Sequence, residues 1–151
     1  MYTNINLYFQ TKIALDFLSE GIPVKLIRLL GIVQLRSQND WSSDQPVIID
    51  TGNPISVIPY SIWQNVDKKI LLPSPTSLYG IGSTENSALT GRLAQLTIIF
   101  KDEHHVSPPL KIKAHLLDND LAPFIIGYED ILTECKLVSD YKHDNAYLEF
   151  D

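Results

Sequence analysis

Apolar residues along this chain recur mostly at every second position or in short solid runs, which is the spacing of strands rather than helices. From Leu110 to Leu116 the alternation is strict: Leu110, Ile112, Ala114 and Leu116 fall on one face, Lys111, Lys113 and His115 on the other. A segment that is apolar at every second residue predicts a strand with one side against a core. Lys25–Leu35, Pro46–Ile49 and Arg92–Phe100 are also rich in β-formers, and turn formers lie between them at Ser37–Asp40, Pro73–Pro75, Pro108–Pro109 and Asp118–Asp120. Helical signal is confined to two short stretches. Pro59–Asn65 carries proline at its start, and Tyr128–Glu134 places acidic residues in its first turn, where they favour the helix dipole. Evenly spaced strands with one or two short helices predict an all-β barrel or sandwich.

Composition narrows the classes. The 151 residues suit one domain, and no repeat, low-complexity tract or long linker divides them. With 44% hydrophobic and 20% charged residues the chain is not a disordered tail. Its net charge of −6 repels a polyanion, so nucleic acid is not expected as a general partner. The single cysteine, Cys135, excludes an internal disulfide and a Cys-rich zinc site, and it reads as a partly buried small residue. The longest apolar stretch, Ile22–Leu35, is broken by Lys25, Arg28 and Gln34, so no run approaches the roughly 20 residues that span a bilayer. The first residues lack a basic stretch followed by an apolar block. The expectation is a cytoplasmic protein without a membrane partner. His104 and His105 fall in the polar stretch Lys101–Ser107, a solvated hairpin loop, and no spacing suggests a metal site or a cofactor.

One local feature stands apart. In Val47-Ile-Ile-Asp-Thr-Gly-Asn-Pro-Ile-Ser-Val-Ile-Pro59 an apolar strand runs directly into Asp50, then Thr51 and Gly52, then a second apolar run. Burying an unpaired carboxylate is costly, so an acid at the end of such a strand is unusual. Glycine two residues later lets the backbone turn sharply and leaves room for a close neighbour. Taken alone, Asp-Thr-Gly also reads as a plain turn between two strands. Downstream come the glycine-punctuated stretch Leu78-Tyr-Gly-Ile-Gly-Ser83, then Phe124-Ile-Ile-Gly127, then a closing strand at Ala146–Phe150. By themselves, Leu78–Ser83 is an ordinary hairpin bend and Phe124–Gly127 a core strand ending in a turn. A phosphate loop is a poor fit, because no Gly-Lys-Ser/Thr follows the paired glycines.

In that order these pieces resemble the retropepsin-like aspartic proteases, the single-domain relatives of retroviral proteases, over roughly residues 25 to 150. The resemblance implies an acid-protease closed barrel with a flap hairpin and one or two short helices. It divides the chain into an N-terminal extension or extra strand (1–24) and a protease domain (25–151). It implies that Asp50, Thr51 and Gly52 form the catalytic loop, with the Thr51 hydroxyl bonding across a subunit interface. Tyr79, Gly80, Ile81, Gly82 and Ser83 would form the flap tip over a peptide substrate, and Ile125, Ile126 and Gly127 would back the catalytic loop.

No other acid in the chain is followed by Thr-Gly or Ser-Gly. Acid proteolysis needs two adjacent carboxylates sharing a proton, so the dyad would require a symmetric homodimer with one Asp50 from each subunit. The implied activity is that of an aspartic endopeptidase, a hydrolase acting through water activated by the dyad. The alternative is a catalytically silent, retropepsin-like dimeric peptide-binding or scaffold domain. Two departures from the family pattern favour that alternative. Asn53 stands where the family usually has Ala or Ser after the glycine, with Pro54 following it, and Tyr128 and Glu129 stand where retroviral members carry an arginine. The segment Lys12–Leu18 either adds an edge strand, extends a dimer sheet or serves as a removable pro-region. Phe150, close to the last residue, leads one to expect that the final strand joins an intersubunit sheet.

Overall fold

The computed structural model describes residues 1–78 and 89–151. In chain order its elements are β1 (Thr3–Asn6), β2 (Tyr8–Ile13), α1 (Leu15–Leu18), β3 (Lys25–Ser37), β4 (Asp40–Trp41), β5 (Gln45–Ile49), β6 (Ser56–Ile58), α2 (Tyr60–Trp63), β7 (Lys69–Ile70), β8 (Thr76–Leu78), β9 (Leu89–Lys101), β10 (Leu110–Leu117), β11 (Ile125–Ile126), β12 (Lys136–Asp140) and β13 (Asn145–Phe150). The fold is all-β. Strands β3, β5, β11, β6, β10 and β9 are neighbours in that order, and β3 pairs back onto β9, closing a six-stranded barrel. Closure removes the open edges that a flat sheet would present.

The periodicity of β10 explains how the barrel fills. Ile112, Ala114 and Leu116 are buried, whereas Lys111 is exposed and Lys113 and His115 are only partly covered. The buried positions join Val33, Leu35, Val47, Ile49, Ile58, Leu96, Ile98, Phe100 and Ile126 in the main core. Beyond its short hairpin to β4 through Arg36 and Ser37, strand β3 is long enough to serve three further partners. Lys25–Leu30 pairs with β2, Leu30–Val33 with β5, and Ile32–Leu35 with β9. The Ser37–Asp40 turn forms as its residues predict: Gln38 and Asn39 both take positive φ, 52° and 65°, the left-handed pair that a tight hairpin needs.

A second sheet, ordered β1-β13-β12, packs on the barrel through Ile5, Ala146, Leu148 and Phe150. The Phe150 ring lies 6.1 Å from that of Phe100. Strand β13 is therefore central: β1 bonds one edge and β12 the other, both from the same chain. The final strand has both its edges bonded within this chain. The free edges of this sheet belong to β1 and β12. The N-terminal residues are built into the fold as β1 and β2, with Ile5 and Leu7 buried.

Tyr128–Glu134 does not form the regular helix its acidic start suggests. Within Tyr128–Leu132, Glu129 is extended (φ −56°, ψ 125°) and Asp130 is left-handed (φ 65°, ψ −1°), so the segment is a kinked turn. Among the described residues no helix is long and apolar enough to cross a membrane.

Candidate active site

Strand β5 ends in the barrel wall, parallel to β11, with Ile48 beside Ile125 and Ile49 beside Ile126. The next rung is the bond from the Asp50 N–H to the Ile126 carbonyl, 2.9 Å, which fixes the backbone of Asp50 at the strand end. Val47 and Ile49 point into the main core, so alternation puts Ile48 and Asp50 on the opposite face. This is how an acid follows an apolar strand without being buried in its core. The chain then turns: the Asn53 N–H bonds the Asp50 carbonyl at 3.2 Å, and the Gly52 N–H bonds the Asp50 Oδ1 at 2.9 Å. Asp50 is half-buried, and it has no ion pair with a described residue. Thr51 is exposed, its hydroxyl unbonded among the described residues.

The stretch after β11 braces this turn from behind. The Gly127 N–H donates to Ser56 Oγ (2.9 Å), the Tyr128 N–H to the Asn53 carbonyl (3.0 Å) and the Glu129 N–H to the Pro54 carbonyl (3.0 Å). Glycine is required at 127 by space, since a Cβ there would lie 2.5 Å from the Asn53 carbonyl oxygen. Ser56 is fully buried, and its hydroxyl is the acceptor that keeps the Gly127 amide satisfied. The sequence signal for Ser56 was a lone hydroxyl inside the apolar run Ile55–Ile58, a signal weaker than the neighbouring Asp-Thr-Gly.

Beside the turn, on the side away from the main core, Val57, Leu89, Leu117, Ala122 and Ile125 form a separate apolar cluster. Ile125 sits between Ile48 and Val57 in the sheet, so this cluster begins one strand from the Asp50 strand. The arrangement places a carboxylate and an apolar wall on one face of the barrel.

The sequence-derived candidates thus divide into three. Asp50, Thr51 and Gly52 lie in one turn. Ile125, Ile126 and Gly127 pack directly behind it. Tyr79, Gly80, Ile81, Gly82 and Ser83 lie outside the described residues; the strands on either side of them, β8 and β9, pair through Thr76↔Gly91, Ser77↔Thr90 and Leu78↔Leu89.

Elsewhere, His104 and His105 are exposed in the β9–β10 hairpin, where their N–H groups bond Asp102 Oδ1. Burial pushes the Asp102 carboxyl up, and backbone N–H bonds from Asn6, His104 and His105 outweigh it, leaving the group below the usual carboxylate range. Among the described residues no three His, Cys, Asp or Glu side chains converge on a metal-sized site. A surface cavity of about 490 Å³ lined by Ser37, Trp41, Gln45 and Asn65 does not include the Asp50 turn.

No protein-family model matches the chain, and no curated protein matches it. Among solved structures it is similar to a retropepsin-like aspartic protease from Rickettsia conorii, with a TM-score of 0.47 and 16% identity over 99% of this chain and 93% of that one.

Proposed function

We propose that the chain is an aspartic endopeptidase whose dyad is assembled from two copies of Asp50, one from each subunit of a homodimer. The observation that supports this best is the placement of Asp50. Its carboxylate ends a barrel strand on the side away from the core, is oriented by the Gly52 N–H, and is braced from behind by the Gly127–Glu129 backbone. Such a turn presents one acid on a hydrogen-bonded backbone, without an ion pair to any described residue. One chain carries one Asp-Thr-Gly, so the second acid comes from a second copy.

Two carboxyls brought together share one proton, because like charges about 3 Å apart do not both ionise readily. The ionised member takes a proton from the water between them as the water oxygen bonds to the scissile carbonyl carbon. The protonated member donates to the carbonyl oxygen. Collapse of the tetrahedral adduct then breaks the C–N bond, with a proton passing to the leaving amine. The pair titrates as a unit, so activity belongs to mildly acidic pH and falls as both members ionise.

The test sets the wild type beside Asp50→Asn in one experiment, with sedimentation mass and peptide cleavage measured across protein concentration. Cleavage that falls on dilution with the dimer, and disappears in an Asp50→Asn variant of unchanged mass, is the expected result. Full-rate cleavage by the variant or by a monomer refutes the dyad. Peptide capture without hydrolysis over a wide pH range would instead favour a retropepsin-like binding module.

A further inference from the structure

The brace behind the Asp50 turn is itself tied to the barrel wall. Asp130 follows Tyr128 and Glu129 in the bracing segment, and its φ of 65° lies in the left-handed region that non-glycine residues seldom enter. Aspartate and asparagine tolerate it best among L-residues. What holds Asp130 there is β10. Its Oδ2 accepts the Lys113 backbone N–H at 2.8 Å and lies 2.9 Å from Lys113 Nζ, while Oδ1 lies 3.2 Å from the same nitrogen. Glu129 Oε1 adds a longer contact to Nζ at 3.6 Å. Strand β6 begins at Ser56, opposite Ala114, so Lys113 is one residue beyond the last β6–β10 rung. The Asp130 carboxylate takes the position where the next rung would be.

We propose that Asp130, held by Lys113, is a positioning residue for the proposed dyad. It anchors the Gly127–Glu129 backbone to β10, and that backbone in turn holds Asn53, Pro54 and Ser56 around Asp50. The inference rests on the endopeptidase reading of Asp50. The chain of contacts is continuous. Lys113 binds Asp130, Tyr128 and Glu129 donate to the Asn53 and Pro54 carbonyls, and the Asn53 N–H closes the turn onto Asp50. A misplacement of about 1 Å at a reacting group can cost about a hundredfold in rate, so a tether three contacts away still matters. Burial pushes the Asp130 carboxyl up, but the hydrogen bonds from the Lys113 Nζ and N–H outweigh it and hold it below the usual carboxylate range. The anchor therefore stays ionised at the mildly acidic pH where the dyad would work.

Two variants separate positioning from folding. Asp130→Gly removes the carboxylate while easing the left-handed backbone. Asp130→Asn keeps an acceptor for the Lys113 N–H in a residue that accepts the same φ. In Asp130→Gly, kcat on a peptide substrate should fall by about tenfold with KM changed less than about twofold. Amide exchange at Tyr128 and Glu129 should accelerate by at least about tenfold while β9–β10 amides stay protected. Asp130→Asn should recover most of both losses. Unchanged exchange in Asp130→Gly, equal impairment of the two variants, or a kcat loss that merely follows the folded fraction would overturn the proposal. The exchange readout does not depend on cleavage. Accelerated exchange in Asp130→Gly alongside a wild type that never cuts would support the tether and overturn the endopeptidase reading instead.

Discussion

Gly127→Ala is the most exacting probe of the Asp50 turn, because the obstruction it introduces is backbone and not a flexible side chain. The added Cβ would stand 2.5 Å from the Asn53 carbonyl oxygen, 3.0 Å from the Ile55 carbonyl carbon and 3.2 Å from the Asn53 carbonyl carbon. Reaching the 3.4 Å at which ordinary contact begins requires the oxygen to move 0.9 Å. That oxygen accepts the Tyr128 N–H, and its residue closes the turn onto Asp50, so neither can shift alone. Overpacking of this kind typically costs about 1–3 kcal/mol. For a chain of this length each kcal/mol lowers the melting temperature by about 2–4 °C. The same displacement at the carboxylate corresponds to a loss of about a hundredfold in turnover. Circular-dichroism melting and peptide cleavage, measured on one preparation at a sedimentation mass matched to the wild type, give both numbers. A variant that melts and cuts like the wild type would show that Gly127 and Asn53 do not approach as closely as the geometry requires.

Other expectations follow from single contacts. Ser56→Ala leaves the buried Gly127 N–H without its acceptor, which should cost about 1–3 kcal/mol in a denaturant titration; an unchanged midpoint would mean that the amide finds another partner. His115 lies on β10 opposite Val57 of β6 and Leu93 of β9, two residues from Lys113, with its Nδ1 buried and unbonded among the described residues. Burial pushes its pKa down from 6.5, so the unfolded chain takes up a proton before the folded one does. Stability that is present above pH 6.5 should then be lost as pH falls through the folded value, and the melting temperature of His115→Leu should decline less between about pH 7.5 and pH 5.5, about a unit either side of an ordinary histidine. Parallel curves would remove His115 from the account. Burial, with Glu134 nearby, pushes the Cys135 thiol up to about 11, so native protein at pH 8 should alkylate on the order of a hundredfold more slowly than unfolded protein. Equal rates would show that the thiol is open to water.

Local period carried much of the architecture. The strict alternation of Leu110–Leu116 marks the core side of β10, and Ser37–Asp40 forms the tight turn that its residues favour. Tyr128–Glu134 was misleading for a physical reason. Its acidic start suits a helix, but one of those acids, Asp130, is bound to Lys113, 17 residues earlier, and that long-range contact holds it in a conformation no helix contains. The last strand likewise takes its place through contacts between residues far apart in the chain. A terminal strand looks free in sequence, yet Thr3–Asn6 returns to cover one of its edges.

By itself the sequence determined the longer barrel strands β3, β5, β9 and β10 and that an acid closes one of the most apolar segments, because both follow from residues adjacent in the chain. Only the tertiary structure decided which face that acid occupies and what stands behind it. Those depend on Ile126, Gly127 and Ser56 meeting the Asp50 turn through hydrogen bonds between residues far apart in the chain, whose register no local pattern encodes.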